Sequence, residues 1–244
     1  MPKYFFFDLD NTLTRSKSHI EPEHIPVLKS LANRAEIIVV SGSTAETITT
    51  HLSGALRGEY HVLGQNGNRA QGKDEQIGWE RLLSDGQKEA AFSFIRHARR
   101  HMPIVVRDEN DIVEDRGCQV AFSLIGHHED IAKKEAFDPD HSIRHGLLRD
   151  LADQVSTLES ANIEVRSGGT TNLDMFEKGR HKGYNVAAYI AHMRWNPDEC
   201  IYIGDALFPG GNDETVVGII PTHAVKDYRE TYEYLTRLLG LSTV

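Results

Sequence analysis

Short apolar runs that stop abruptly on polar residues constrain this chain more than any other feature. Tyr4–Phe7 runs into Asp8, and Glu36–Val40 runs into Ser41-Gly42-Ser43. His61–Leu63 is closed by Asn66-Gly67, and Cys200–Ile203 ends on Gly204-Asp205. Runs of this length, bounded by turn residues, read as strands buried on both faces. Segments of helical spacing lie between them. Pro22–Asn33 carries Ile25, Leu28 and Leu31, and a helix through about Leu52 starts at Thr44, an N-cap with Thr47 three positions on. Repeated strand–helix–strand units predict an α/β fold built on a parallel sheet.

The rhythm changes in the middle of the chain. Ser84–His101 reads as a long amphipathic helix, with Ala91, Ile95 and Ala98 on one face. Pro103–Arg107, Asp111–Asp115 and Gln119–Ile125 are closely spaced strand candidates, a spacing that suits antiparallel pairing. Asp140–Leu158 predicts a second long helix, with Ile143, Leu147, Leu151 and Val155 at four-residue steps. Ile163–Arg166 and Asn172–Phe176 follow as strands around Gly168-Gly169. After them the α/β alternation resumes with a helix at His181–Met193, the Cys200 strand, a strand at Val216–Ile220 and a helix at Asp227–Leu239. The expectation is an α/β core, residues 1–79 and 179–244, interrupted by an inserted α+β module at 80–178.

Composition narrows the function classes. The chain has 244 residues, 39% hydrophobic and 26% charged, an ordinary globular balance with enough length for a sizeable core. Lys plus Arg is 27 against 36 Asp plus Glu, a net charge of −9, so no nucleic-acid partner is expected. No apolar run approaches the ~18 residues of a membrane span, and Cys118 and Cys200 form neither a CxxC pair nor a disulfide framework. These readings predict a cytoplasmic protein with no membrane partner. The 13 histidines offer no convincing zinc set; His97 and His101 share a helix face but lack further ligands. Trp79 and Trp195 read as packing residues.

The chemistry sits at the strand ends. Asp8-Leu9-Asp10-Asn11-Thr12 places two carboxylates at the carboxyl end of the first strand, where open α/β sheets put their ligand sites. One carboxylate can attack phosphorus to give an aspartyl phosphate, and a second can protonate the leaving oxygen. Two together attract a hard divalent cation such as Mg2+. By itself a DxD tripeptide serves equally well to close a turn. Ser41 can donate a hydrogen bond to a phosphate. Asp205 adds a third strand-end carboxylate, and Lys182 can neutralise nucleophile and phosphate together.

In this order the pieces resemble the haloacid dehalogenase superfamily: DxDxT at Asp8–Thr12, a serine after the second strand, a lysine opening a helix, then GD…ND. The resemblance implies a Rossmann-like core with a parallel sheet and a C2b-type α+β cap. It makes Asp8 the nucleophile and Asp10 the general acid/base. It places Mg2+ on Asp8, the main-chain carbonyl of Asp10, and Asp205, with Asn212 and Asp213 in support. The middle of the chain is similar to eukaryotic-type phosphomannomutases in Glu114–Gly126, Phe137–Arg144, Ser167–Gly183 and Gly204–Val217. That similarity implies a cap site for the substrate's distal phosphate, made of Arg116, His127 and Lys134, with Lys17 from the core. Asp174 and Asn172 would contact the sugar.

The sequence departs from the family at several of these positions. Where the family has arginines stand His127, Lys134 and Lys17, and Asn172 replaces a serine. Lysine binds phosphate without the bidentate fork of arginine, and His127 is neutral in one protonation state. The family's second motif reads Gly-Gly-Ser, so either Ser41 or Ser43 contacts the phosphate; Ser41 is preferred because it directly follows the strand. The expected activity is interconversion of hexose 6-phosphate and hexose 1-phosphate, with a hexose 1,6-bisphosphate as activator. The alternative is a phosphosugar phosphatase on the same core residues. The resemblance also implies a homodimer through the cap.

Overall fold

The computed structural model describes residues 1–241, which divide into two compact units. Unit 1 holds Met1–Glu80, His181–Pro209 and the segment from Asp213 onward; unit 2 holds Arg81–Arg180 with Gly210–Asn212.

Unit 1 begins with β1 (Tyr4–Asp8), α1 (Ile25–Ala32), β2 (Glu36–Val40), α2 (Ala45–Leu52), β3 (Tyr60–Gly64), β4 (Arg69–Gln71) and β5 (Ile77–Glu80). The chain then builds unit 2 from α3 (Asp85–His101), β6 (Val113–Asp115), β7 (Gln119–Ser123), α4 (Ile131–Phe137), α5 (Ser142–Asp150), α6 (Ala152–Ser160), β8 (Ile163–Gly168) and β9 (Asn172–Glu177). Unit 1 is completed by α7 (Lys182–Met193), β10 (Cys200–Gly204), β11 (Thr222–Ala224) and α8 (Tyr228–Leu239).

The sheet of unit 1 runs β11-β10-β1-β2-β3-β4-β5. Its members from β11 to β3 are parallel, while β4 and β5 pair antiparallel. Phe5 and Phe7 on one face and Phe6 on the other are fully buried in two apolar clusters, as strands covered on both faces require. The chain leaves β1 toward β2 on one side and returns as β10 on the other. That reversal opens a crevice at the carboxyl ends of β1, β2 and β10. Trp195 stacks on Tyr4 at 4.2 Å, and the Trp79 indole N–H donates to the Gly67 carbonyl, so both tryptophans pack as expected.

Unit 2 is an antiparallel sheet, β6-β7-β9-β8, with helices on one face. Val120, Phe122, Leu173, Met175 and Ile163 form the apolar face with Ala91, Ile95 and Leu147 from the helices. Alternation along the strands sends Asn172 and Asp174 to the opposite face.

Several elements differ from expectation. Pro103–Arg107 is not a strand: the proline offers no N–H, the Ile104 carbonyl is taken by Arg99, and Val105 is 96% exposed. The long helix expected at Asp140–Leu158 is two helices that bend at Leu151. Hydrogen bonds from Leu151 N to Leu147 O and from Val155 N to Leu151 O cross the bend, so the apolar stripe continues. The Asp138 carboxylate accepts from Ile143 N and Arg144 N and sets where α5 starts. Val216–Ile220 is a turn around Gly218 at φ 84°, and the strand comes later, as β11. The hairpin of β4 and β5 was not foreseen, because its short strands carry little apolar signal.

His141 gives unit 2 a pH dependence. Burial first, then the neighbouring Arg144 guanidinium, pull its imidazole down to about 4 from an ordinary 6.5. In the unfolded chain it takes a proton that the folded unit refuses, so stability is full above pH 6.5 and declines as pH falls toward 4. His141→Asn tolerates the left-handed backbone at φ 63° and should flatten that decline, read as melting temperature against pH.

Candidate active site

The end of β1 delivers Asp8, almost fully buried, and the chain then turns tightly. Leu13 N and Thr14 N both donate to the Leu9 carbonyl, and Asn11 takes a left-handed conformation at φ 61°. The turn lets Lys17 N donate to Asp10 Oδ1 at 2.6 Å. Burial raises the Asp10 carboxyl, but Lys17, by charge and by this hydrogen bond, outweighs it and holds the group below its ordinary range.

Across the crevice, α7 starts at Lys182, with His181 as its N-cap. Gly183 allows the close approach: a Cβ there would lie 1.8 Å from the Thr215 carbonyl oxygen. Lys182 is 1% exposed, and its Nζ donates to Asp8 Oδ1 at 2.5 Å and to Asp213 Oδ1 at 2.7 Å. Burial would lower this ammonium, yet Asp213 and Asp8 overcome it and raise it.

Asp205, just past β10, is gripped by the first turn. Thr12 Oγ1 donates to its Oδ1 at 3.4 Å, Asn11 Nδ2 lies 3.5 Å from its Oδ2, and Asp205 N donates back to Thr12 Oγ1. Thr12 is thus the residue that ties the DxDxT turn to the third carboxylate.

Asp8, Asp205 and Asp213 form one cluster, each offering an oxygen within 4.8 Å of the others. Three clustered carboxylates, Asp8 and Asp213 buried and Asp205 half-buried, stand against one ammonium, which Asp8 and Asp213 hold. Burial, with Asp213 and Asp205, pushes Asp8 well above the carboxylate range against the pull of Lys182. Burial and Asp213 push Asp205 up to about 7. This all-oxygen, cation-deficient set fits a hard divalent ion such as Mg2+. Asp213 has another duty, because its Oδ1 already accepts from Lys182 and from the Tyr202 hydroxyl. Asn212 falls in unit 2, where its amide oxygen is buried without a hydrogen-bond partner.

Ser41 and Ser43 both follow β2, both are buried, and Ser43 N donates to Ser41 Oγ at 3.1 Å. That bond leaves the Ser41 hydroxyl hydrogen available to a phosphate oxygen.

Unit 2 gathers its own polar group. The Arg116 side chain is 6% exposed and clamps Glu114, with Nε at 2.8 Å from Oε2. His127 Nδ1 lies 3.7 Å from the other Glu114 oxygen, and the buried Lys134 donates to the His127 carbonyl at 2.8 Å. The structure therefore brings Arg116 and His127 to Glu114, a carboxylate that sequence reasoning did not single out, with Lys134 held on the His127 carbonyl. Asp174 lies against Gly168, where a Cβ would sit 2.3 Å from Oδ2.

Arg144 was also missed as a functional residue. It is fully buried, paired with Asp138 at 2.6 Å, and donates to the carbonyls of Gly168, Gly169 and Asn172. It shapes the turn that presents Asn172 and Asp174. Its only sequence signal is its place in the Phe137–Arg144 stretch.

A buried carboxylate held by a buried lysine, a second carboxylate two residues on and a carboxylate cluster suited to a hard cation are groups that phosphoryl transfer can use. Comparison with known proteins agrees. Residues 5–213 match the haloacid dehalogenase-like hydrolase family, and the chain belongs to it. It is an enzyme of that family, a phosphotransferase or a hydrolase. It is 27% identical over 217 residues to a phosphomannomutase of Triticum aestivum, covering 86% of this chain and 84% of that one. Phosphomannomutase 1 of Dictyostelium discoideum is 26% identical over 243 residues, 95% of this chain and 94% of the relative. Among solved structures, the IMP-nucleotidase of Plasmodium falciparum superposes with a TM-score of 0.71 at 13% identity, covering 98% of this chain and 68% of that one. A haloacid dehalogenase-like hydrolase from Bacteroides thetaiotaomicron gives 0.66 at 16% identity, over 98% and 100%. Among the described residues no helix is long and apolar enough to cross a membrane.

Proposed function

We propose that the protein transfers a phosphoryl group on a hexose phosphate through an aspartyl phosphate on Asp8, most closely as a phosphomannomutase does. The observation that carries this reading is Lys182 held between Asp8 and Asp213. With Asp8 carrying a phosphoryl group taken from a hexose 1,6-bisphosphate, the Asp10 carboxylate takes the proton of a hexose phosphate hydroxyl as that oxygen attacks phosphorus and the bond from phosphorus to Asp8 breaks. An Asp8 oxygen then attacks the other phosphorus of the bisphosphate so formed, the bond from that phosphorus to the sugar oxygen breaks, and Asp10 returns the proton to that oxygen. Lys182 and Ser41 stabilise charge on the phosphoryl oxygens. Mg2+, held by Asp8, the Asp10 carbonyl and Asp205, supplies further charge stabilisation there. Arg116 and Lys134, with His127, recognise the phosphate that is not transferred, and Asp174 and Asn172 recognise the sugar.

One observation favours a second reading, hydrolysis of a phosphosugar. Glu114 already occupies the Arg116 fork, so the cap cations carry their own counter-charge. The discriminating experiment incubates the protein with Mg2+, mannose 1-phosphate and a hexose 1,6-bisphosphate, and measures hexose 6-phosphate and free phosphate in one tube. A mutase gives hexose 6-phosphate; free phosphate from every turnover replaces that reading with the phosphatase.

Two further results are expected. A chelator removes activity and Mg2+ restores it, and Asp205→Ala weakens activation by Mg2+ more than Asp213→Ala does; equal rates with and without chelator reject the metal site. In a mutase, Arg116→Ala lowers kcat/KM for a hexose monophosphate by roughly 10–100-fold, the worth of a shielded charge-assisted contact. Unchanged kcat/KM in Arg116→Ala removes the distal phosphate from the site.

A further inference from the structure

Strand β10 alternates between the two apolar clusters of unit 1. Ile201 and Ile203 enter one, and Cys200 and Tyr202 enter the other. Tyr202 is 0% exposed. Phenylalanine would fill the same space with no polar group to satisfy, whereas a buried phenol needs a partner. Tyr202 finds it at the centre of the site: its hydroxyl donates to Asp213 Oδ1 at 2.7 Å, the same oxygen that accepts Lys182 Nζ at 2.7 Å. The second oxygen of Asp213 accepts Ala206 N–H at 3.4 Å and lies where a Cβ on Gly204 would collide, at 2.4 Å. Both oxygens of Asp213 are therefore committed inside the protein, and the ammonium that one of them holds reaches Asp8 at 2.5 Å.

We propose that Tyr202 is a positioning residue for phosphoryl transfer: its hydroxyl shares Asp213 Oδ1 with Lys182 and so sets how much of the ammonium is left for Asp8 and the phosphoryl group it receives. This rests on the chemistry assigned above to Asp8.

The physical reason is a division of one charge between two acceptors. Lys182 faces the carboxylates of Asp8 and Asp213 at nearly equal distances. A neutral donor on Asp213 draws off part of that carboxylate's charge and weakens its hold on the ammonium. A second cation would do the same, but would also cancel the negative charge that a divalent ion needs. The hydroxyl acts without changing net charge. It also keeps Asp213 from swinging toward Asp8 and Asp205, which already suffer from mutual repulsion. Charge redistributes around Lys182 during transfer, so the effect belongs to the transition state and to kcat. Tyr202 is wholly enclosed and touches no part of a sugar, so KM is not engaged.

The test is Tyr202→Phe, which removes one oxygen from a packed ring. The expected result is a kcat about tenfold lower, equivalent to about 1.4 kcal/mol, with KM held within about twofold. In an Asp213→Asn background the same substitution should add nothing beyond about twofold, because residues acting through one group are not additive. Binding of beryllium fluoride, a phosphoryl mimic for Asp8, should weaken about tenfold in Tyr202→Phe, and this readout needs no turnover. A kcat within about twofold of the wild type overturns the proposal, as does an undiminished tenfold loss on top of Asp213→Asn. A rise in KM with a fallen melting temperature and unchanged kcat marks Tyr202 as packing only, and also overturns it. If the wild type turns over no hexose phosphate but beryllium fluoride still separates the two proteins, the substrate reading fails and the role of Tyr202 stands.

Discussion

Asp8→Asn is expected to abolish phosphoryl transfer while leaving unit 1 folded. An amide cannot form the acyl phosphate, so the loss should be on the order of a thousandfold or more, as when a covalent nucleophile is removed. The fold should survive because Asp8 is one of two buried carboxylates that share a single ammonium, with Asp205 close by. Burial and the charges of Asp213 and Asp205 already work against its ionised form. A neutral side chain of the same shape relieves that repulsion, and the melting temperature without divalent ion should hold or rise. Asp10→Asn should be milder, about 10²–10⁴-fold, since acid/base assistance is lost but the nucleophile remains. Rates are read by release of free phosphate and by trapping the phosphoenzyme. Asp8→Asn retaining more than about a hundredth of wild-type turnover would falsify the aspartyl-phosphate mechanism.

Arg144→Met should destabilise unit 2 by about 3–5 kcal/mol, the usual cost of removing one partner of a buried ion pair. Arg144 is 0% exposed, and its Asp138 partner is equally enclosed. The substitution leaves the Asp138 carboxylate with only backbone N–H donors and removes the donor that three carbonyls of the Gly168–Asn172 turn share. The melting transition should fall by roughly 10 °C or more. Replacing both partners, as in Asp138→Leu with Arg144→Met, should recover part of the loss, because an apolar pair leaves no orphaned charge. If Arg144→Met melts within about 2 °C of the wild type, the pair contributes no net stability.

Much of this was legible in the sequence because it is local. The strand at Glu36–Val40, the Thr44 cap and the helix ending at His101 depend on residues within a few positions of one another, and all stand where expected. The strand-end carboxylates Asp8 and Asp205 were legible for the same reason: an apolar run that stops on a carboxylate marks the end of a buried strand. The failures were local patterns that the surroundings overrode. The four-residue stripe from Ile143 to Val155 is real, but a side-chain cap at Asp138 and the bend at Leu151 cut it into two helices. Val216–Ile220 has strand composition, yet Gly218 turns the chain before the edge of the sheet is reached.

The sequence by itself determined the alternation of strands and helices and the residue types at the strand ends, since period, turn chemistry and caps act over short separations. Only the tertiary structure decided which charges meet. Lys182 reaches Asp8 across 174 positions, Thr12 reaches Asp205 across 193, and Arg116 and His127 meet at Glu114 while Lys134 holds the His127 carbonyl. The same holds for Tyr202, whose hydroxyl is silent in a run of apolar residues until packing sets it beside Asp213. Such pairings follow from sheet order and from burial, which leaves a charged or polar group no solvent to turn to and so makes its nearest partner decisive.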